Sequence, residues 1–237
     1  MEWKIRLMLA IADGADAKAL RGAMIAEAAR LDAALPGRLR HARAFRLHDE
    51  ALREAARGSV YSGAPPFDAM MEIVADDGEA IRLAGDVLEG VAGRMAGVLR
   101  PENSAVLAGT IYEILPGTGP VHLAISARRL PHLSHDDYMD HWFHKHSDKA
   151  RSADQVVQGL FYRQFHNDPA RAAGIARRAG IGLADFDGMS EAYFTDGETL
   201  SRVYNAPGVW EAALTDELRF VDHGRSILSL LQMDEAT

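Results

Sequence analysis

Residues 116–120 read Pro-Gly-Thr-Gly-Pro. Two prolines and two glycines in five residues continue neither a helix nor a central strand, so the segment is a linker. It falls at the midpoint of a 237-residue chain. Working outward from it, both halves show the same order of elements. Upstream, the apolar runs 4–12, 42–47, 67–75 and 105–115 predict strands. Leu20, Met24, Ala28, Leu31 and Leu35 set the spacing of a helix over 16–35, and Asp76-Asp77 caps a second that runs to about Gly93. Downstream, strands are predicted at 121–127, 156–166, 185–194 and 227–233, with helices at 134–150 and from 197 to 204. A long connection precedes the third strand of each half, at 49–66 and 168–184.

Each half is thus β-α-β-β-α-β. The predicted class is α+β, with two tandem ferredoxin-like repeats, 1–116 and 117–237. Each would be an antiparallel sheet with both helices on one face. The bare faces must find cover, and two of them packed together close an α/β barrel with its helices outside. The space between the sheets is then the expected pocket.

Composition narrows the function. The chain is 48% hydrophobic and 25% charged, with a net charge of −8, which disfavours nucleic acid and anionic membrane surfaces as partners. No run of 18 apolar residues is present, and Met-Glu-Trp-Lys-Ile-Arg is not a signal peptide, so a cytoplasmic protein is expected. There is no cysteine, which excludes disulfides, thiolate metal sites and a Cys nucleophile. Dinucleotide, P-loop and nucleophile-elbow signatures are missing as well.

The chemistry concentrates in 134–150, Ser-His-Asp-Asp-Tyr-Met-Asp-His-Trp-Phe-His-Lys-His-Ser-Asp-Lys-Ala, which holds four of the ten histidines. At about 100° per residue Tyr138, Trp142, Lys145 and Lys149 form one stripe, with His141 on one flank and His146 on the other. The matching helix of the first half, around Ala17–Glu27, has no His, Trp or Tyr. Packing alone therefore does not require them. One working site in the second half, with the first half as scaffold, is expected.

Three stretches of the second half resemble the EthD family of the dimeric α/β-barrel superfamily. The first is Tyr138, His141-Trp142 and His146, similar to the family's aromatic-x-x-(His/Tyr)-Trp-x-x-x-His pattern. The second is Tyr162-Arg163-Gln164-Phe165-His166. The third runs from Asp187-Gly188-Met189-Ser190-Glu191 to Asp216-Glu217-Leu218-Arg219-Phe220-Val221-Asp222. Where family members usually carry a Pro after the helical His, this chain has Ser147-Asp148. The resemblance implies links to ether and aromatic breakdown, or cofactor-free isomerases, cyclases and dehydratases. More distant barrel relatives bind haem or oxidise quinol-like substrates without a metal.

Each candidate residue has a chemical and a plain structural reading. His146 is a general acid or base, or a helix C-terminal cap. Tyr138 and Tyr162 polarise a developing oxyanion, or are core with a polar tip. His166 shares a strand face with Tyr162, and is a site residue or a turn residue. Trp142, Arg163 and His141 are candidates for substrate contact; Trp142 is most simply a core anchor, Arg163 an ion-pair partner and His141 a surface group. His141 and His144 are one turn apart but make an incomplete metal site, so no metal is expected. Asp187 and Glu191 are expected to be solvated or ion-paired, and His223 to orient another histidine. The 168–184 connection reads as a short surface helix, the alternative being a lid.

Together these residues imply a cofactor-independent enzyme for a small apolar carbonyl or aromatic compound, of lyase, isomerase or cyclase type. His146, Tyr138, Tyr162 and His166 are its acid–base groups. The alternatives are a haem-binding or cofactor-free oxygenase barrel and a non-catalytic ligand-binding accessory protein. A homodimer is compatible with either.

Overall fold

Lys4 and Arg6 alternate with Ile5 and Leu7 along the first strand, and all four side chains are fully buried. That pattern needs two different covered faces, and the fold supplies them. The computed structural model describes residues 2–56, 60–61, 67–152, 158–182 and 184–234. The first two residues of the strand expected at 156–166, and parts of the 49–66 and 168–184 connections, lie outside the described residues.

In chain order the elements are β1 (Glu2–Leu9), α1 (Ala17–Ala34), β2 (Arg40–Arg46), α2 (Glu50–Ala55), β3 (Ala69–Ala75), α3 (Gly78–Val87), α4 (Val91–Arg94) and β4 (Ala105–Leu115). After the linker come β5 (Val121–Ala127), α5 (His135–Asp140), a π-helical turn over His141–His146, α6 (Ser147–Ser152), β6 (Leu160–Asn167) and α7 (Pro169–Ala179). The chain then forms β7 (Gly188–Phe194), α8 (Gly197–Tyr204), α9 (Val209–Glu217) and β8 (Ile227–Met233). Among the described residues the strands close an eight-stranded antiparallel barrel in the order β1-β3-β2-β8-β5-β7-β6-β4. Each half contributes four neighbouring strands in the same internal order, fourth-first-third-second. The halves join where β2 meets β8 and where β4 meets β6.

Because side chains alternate along a strand, the outward face of β1 gives Ile5, Leu7 and Leu9 to a core shared with Leu20, Met24 and Leu31 of α1 and Ile81 and Ala84 of α3. The inward face carries the charges. Lys4 Nζ lies 2.9 Å from both carboxylate oxygens of Glu191 and 3.0 Å from Glu72. Arg6 pairs with Glu72 and, at 2.8 Å, with Glu191. The Tyr193 hydroxyl sits 3.3 Å from Glu191, and His122 stacks on the Tyr193 ring at 4.2 Å. Burial pushes the Glu72 carboxyl up, but Arg6 and Lys4 override it and hold it well below the ordinary range. Burial pushes the His122 imidazole well down, and the Arg6 charge adds to that.

This corrects one expectation and narrows another. The barrel interior is filled by this ion network and by apolar side chains such as Met8, Met70, Leu107, Phe165 and Met189, and the candidate residues of the 134–150 helix do not line it. Glu191 is fully buried and Asp187 nearly so, so neither is solvated. Both are ion-paired, and paired buried charges are tolerated where lone ones are not.

The 168–184 connection forms the short helix expected of it. Asp168 caps α7, Gly180 ends it at φ 71°, and Ala172, Ile175, Ala176 and Ala179 are buried against the first half's outer core. Its other side, with Pro169, Ala170 and Arg177, is exposed, so it is a surface helix with one face packed down. Among the described residues no helix is long and apolar enough to cross a membrane.

Candidate active site

The register of β6 places the candidate residues. Arg163 pairs with Glu191 and Phe165 with Met189, so these face the barrel interior, while Tyr162, Gln164 and His166 face outward under the 135–152 helix. Arg163 is therefore separated by the sheet from the rest of the candidate group. Its guanidinium donates to the Gly117 carbonyl at 2.9 Å, lies 3.6 Å from Glu113 and sits over the Tyr193 ring.

Trp142 is the keystone of the outward side. Its ring lies on Gly188, where a Cβ would meet the indole at 2.6 Å, and stacks on His166 at 5.0 Å and 11°. The indole N–H donates to the Tyr162 hydroxyl at 3.2 Å. The Gln164 amide donates to the Trp142 carbonyl at 3.0 Å and lies 3.4 Å from the same hydroxyl. Gln164 Oε1 is 3.1 Å from His166 Nε2. Burial pushes His166 down to about 4, with the His135 charge adding to it, so the ring is neutral at pH 7. Burial raises Tyr162 as well, opposed by its hydrogen bonds to Ser190, Gln164 and Trp142. Tyr162 and His166 thus both contact Trp142 directly.

Asp187 fixes the start of this helix. It accepts from the Arg129 backbone N–H at 2.8 Å and lies 2.9 Å from His135 Nδ1, with the Arg129 guanidinium also on it. Burial pushes its carboxyl up, and these partners outweigh that and lower it. The Asp187-Gly188 pair therefore does two jobs. The aspartate pins the helix N-terminus, and the glycine makes room for the tryptophan about two turns later.

The π turn decides where the histidines point. The Ser147 N–H donates to the Trp142 carbonyl, five residues back, and the buried Ser147 hydroxyl bonds the Phe143 carbonyl. The widened turn brings residues five apart onto nearly one face. His141 and His146, on opposite flanks of a regular α-helix, both reach Asp216: His146 Nδ1 lies 2.9 Å from Oδ2 and His141 Nε2 lies 3.3 Å from Oδ1. His141 is therefore not a surface group, whereas His144 is, with 64% of its side chain exposed. The helix also continues through Ser147–Ser152 where a proline would have stopped it.

Asp216 and Glu217 end α9, and the chain then turns back so that Arg129 and Val221 bridge beside the end of β5. The turn buries Phe220 as a shared platform. Its ring centroid is 4.7 Å from His141, 5.3 Å from His146 and 5.4 Å from Tyr138. Burial pushes the Asp216 carboxyl up, and the bonds and charges of His146 and His141 overcome it, so it stays ionised. Glu217 lies 2.9 Å from His223 Nε2 and 3.8 Å from His146 Nε2, and accepts from the Tyr61 hydroxyl at 3.1 Å. Burial raises Tyr61, Tyr138, Tyr162 and Tyr204, and the Glu217 charge adds to each. The Tyr138 hydroxyl is fully buried and has no hydrogen-bond partner among the described residues.

His146 and Tyr138 thus converge on one platform beside two carboxylates. Trp142 stands between Tyr138, at 5.6 Å, and His166. Sequence reasoning missed the roles of Asp216, Glu217 and Tyr61. Asp216 and Glu217 stand in the third EthD-like stretch, which was signal enough to single them out. Tyr61 comes from the first half, in the connection after α2, where nothing in the sequence marks it.

Residues 130–224 match the EthD domain. The matched segment holds the helix–platform assembly except Tyr61 and Arg129. No curated protein matches the chain. Among solved structures the barrel is similar to an anthrone oxidase-like protein at 12% identity, covering 99% of this chain and 91% of that one with a TM-score of 0.59. It is also similar to a provisionally named monooxygenase from Lactobacillus acidophilus (11% identity, 99% and 94% covered, TM-score 0.54) and to a provisionally named chlorite dismutase (10%, 99% and 95%, TM-score 0.52). At such identities the likeness is one of fold.

A haem does not fit the site. His146 Nδ1 is held by Asp216, and Trp142 packed on Gly188 and His166 fills the gap between helix and sheet. Among the described residues no group of three or more His, Asp or Glu side chains is arranged to hold a metal ion.

Proposed function

We propose that the EthD segment is an acid–base active site for a small, largely apolar carbonyl or aromatic compound, working by proton transfer coupled to elimination, isomerisation or cyclisation. The barrel is read as two fused ferredoxin-like units, of which the second carries the site. The observation that carries the reading is the 2.9 Å contact between His146 Nδ1 and Asp216. With Nδ1–H donated to an ionised carboxylate, Nε2 holds the lone pair and the ring is fixed in orientation. That is the base-and-orienter arrangement of general base catalysis.

Tyr138 supplies the second element. A buried hydroxyl without a partner costs about 1–3 kcal/mol, a cost that a substrate oxygen accepting its proton would remove. The developing enolate or phenolate oxygen is placed there, and the acidic C–H or O–H faces His146. Phe220, Trp142 and the tyrosine rings provide an apolar surround that suits a flat substrate. Tyr162 and His166 hold Trp142 in place and do not act on the substrate themselves.

The test is hydrogen–deuterium exchange at carbon, monitored by NMR in D2O with a panel of 1,3-diketones and hydroxylated aromatic ketones. The intact protein accelerates exchange on at least one member and His146→Gln does not. No acceleration on any member, or equal acceleration by both proteins, overturns the reading.

A further inference from the structure

At one end of the barrel the segments that flank β5, β7 and β8 bring three arginines together. Arg128 and Arg129 follow β5, Asp185 and Asp187 precede β7, and Arg225 precedes β8. With Pro131 these residues line a cavity of about 160 Å³. Its walls are tied down by the backbone. The Arg128 N–H donates to the buried Ser226 hydroxyl at 3.0 Å, and the Arg128 carbonyl accepts from the Asp222 N–H at 2.8 Å. The Asp187 N–H donates to the Ala127 carbonyl at 2.9 Å, and the Arg128 guanidinium lies 4.0 Å from the centre of the Phe186 ring. A cavity fixed in this way needs little ordering when a ligand enters.

Its charges do not balance. Three guanidinium groups face two carboxylates. Asp185 serves two of them: Arg128 Nε lies 2.5 Å from Oδ1, and Arg225 Nη2 lies 2.6 Å from Oδ2. Burial pushes the Asp185 carboxyl up, and Arg128 and then Arg225 outweigh that and lower it, so it is ionised at pH 7. Asp187 already carries the Arg129 guanidinium, the Arg129 backbone N–H and His135. One positive charge is left over. Donors are left over as well, because each guanidinium has five N–H groups. Among the described residues Arg129 Nη2 and Arg225 Nε have no acceptor within hydrogen-bond distance, and Arg225 Nη1 has only Asp222, at 3.9 Å. Surplus positive charge with unused forked donors is what holds a carboxylate or a phosphoryl oxygen pair. The cavity is smaller than the roughly 300 Å³ at which pockets for whole drug-sized ligands begin, so it suits one such group.

We propose that this cavity is a second binding site, which takes the oxyanion end of a small molecule, a carboxylate or a single phosphoryl group, on Arg129 and Arg225 beside Arg128. It shares no residue with the contact between His146 and Asp216, so it stands or falls independently of the acid–base reading.

The site is tested by isothermal titration of the full chain with sodium phosphate and, separately, with sodium acetate, ionic strength being held constant with sodium chloride. At least one of the two anions binds, with one site per chain, and the tighter of them tells a phosphoryl ligand from a carboxylate. Arg225 has 51% of its side chain exposed, so Arg225→Gln is expected to fold. It weakens binding about tenfold or more, the scale of a lost charge-assisted hydrogen bond. Asp185→Asn acts in the opposite sense, because it removes the competing carboxylate and frees Arg128 and Arg225, and binding tightens. Arg82→Gln alters an arginine of α3 with 55% of its side chain exposed, and binds as the intact protein does. No binding of either anion, or equal affinity in the intact protein and Arg225→Gln, overturns the proposal. An Arg82→Gln variant weakened as much as Arg225→Gln also overturns it, since the anion then senses only net charge. Should Arg225→Gln not fold, Asp185→Asn decides: binding that is unchanged or weaker overturns the site.

Discussion

His146 and Asp216 meet at 2.9 Å although 70 residues separate them, and the π turn is what lets them meet. A regular helix would send His146 to the far flank from His141. Asp216→Asn keeps the size of the side chain but offers an amide to the ring, which disfavours the tautomer with its lone pair on Nε2. Exchange activity is expected to fall about 100-fold or more, the scale of a lost general base. Deleting Lys145, an exposed residue of the turn, should restore an ordinary helix and swing His146 off Asp216. The deletion is expected to leave a folded protein by circular dichroism that lacks the activity. Activity that survives the deletion would show that the π turn does not place the base.

Tyr138 offers the opposite combination of effects. Its hydroxyl is buried without a partner among the described residues, so Tyr138→Phe removes a desolvated group and leaves the ring contacts with Trp142 and Phe220 in place. Stability is expected to hold or to rise by about 1 kcal/mol, read from the urea midpoint. Turnover should drop in parallel. A variant that is both less stable and fully active would mean that the hydroxyl has a structural partner and no role toward substrate.

Much of this architecture was legible in the residues, and the limits of that legibility have physical causes. The linker at 116–120 and the matching order on either side imply eight strands, and β4, β5 and β8 fall where the apolar runs place them. Tyr138, Trp142 and His146 were legible because the matching first-half helix lacks them. The π turn was not, since one added residue leaves the apolar spacing of a helix nearly intact while rotating every side chain beyond it. The face of β6 was ambiguous for a related reason. Both faces of a barrel strand are buried, so alternation does not say which is interior. Glu191 looked like an outward charge because its partners, Lys4 and Arg6, lie far away in sequence.

Gly188 marks the place where the helix comes closest to the sheet. A methyl group there would sit 2.6 Å from both the Trp142 ring and the Phe165 carbonyl. Gly188→Ala is expected to cost about 1–3 kcal/mol, the range for overpacking a filled site. The displaced indole should lose its stacking on His166, and so its fluorescence maximum should shift to longer wavelength. A double variant with Trp142→Phe relieves the contact with the ring but not that with the Phe165 carbonyl, so only part of the lost stability should return. Additive losses in the double variant would place the clash elsewhere.

The ion network inside the barrel joins the two halves, because Lys4, Arg6 and Glu72 belong to the first and Glu191 to the second. Glu191→Ala leaves two buried cations on a single carboxylate. Breaking a buried pair in this way typically costs about 3–5 kcal/mol. The expected result is a large fall in the denaturant midpoint. A fall below about 1 kcal/mol would indicate that water reaches the cations.

Acid should loosen the protein before its carboxylates titrate. His166 and His122 are both held below the ordinary histidine range, His166 at about 4. A group whose folded pKa is depressed adds stability above its unfolded pKa and loses it as pH falls through the folded one. For His166 that window runs from about 6.5, the unfolded value, down to about 4. The ring is largely but not wholly buried, so the full loss is bounded at about 3 kcal/mol. Glu72, Asp187 and Asp216 act in the same direction, but at lower pH, because their folded values lie below an already acidic range. Urea midpoints measured at pH 7, 5.5 and 4.5 are therefore expected to fall steadily. His166→Gln and His122→Gln should each flatten that slope between pH 6.5 and 4.5 while lowering the value at pH 7. A wild-type curve that is flat down to pH 4.5 would show that neither histidine is kept neutral by the fold.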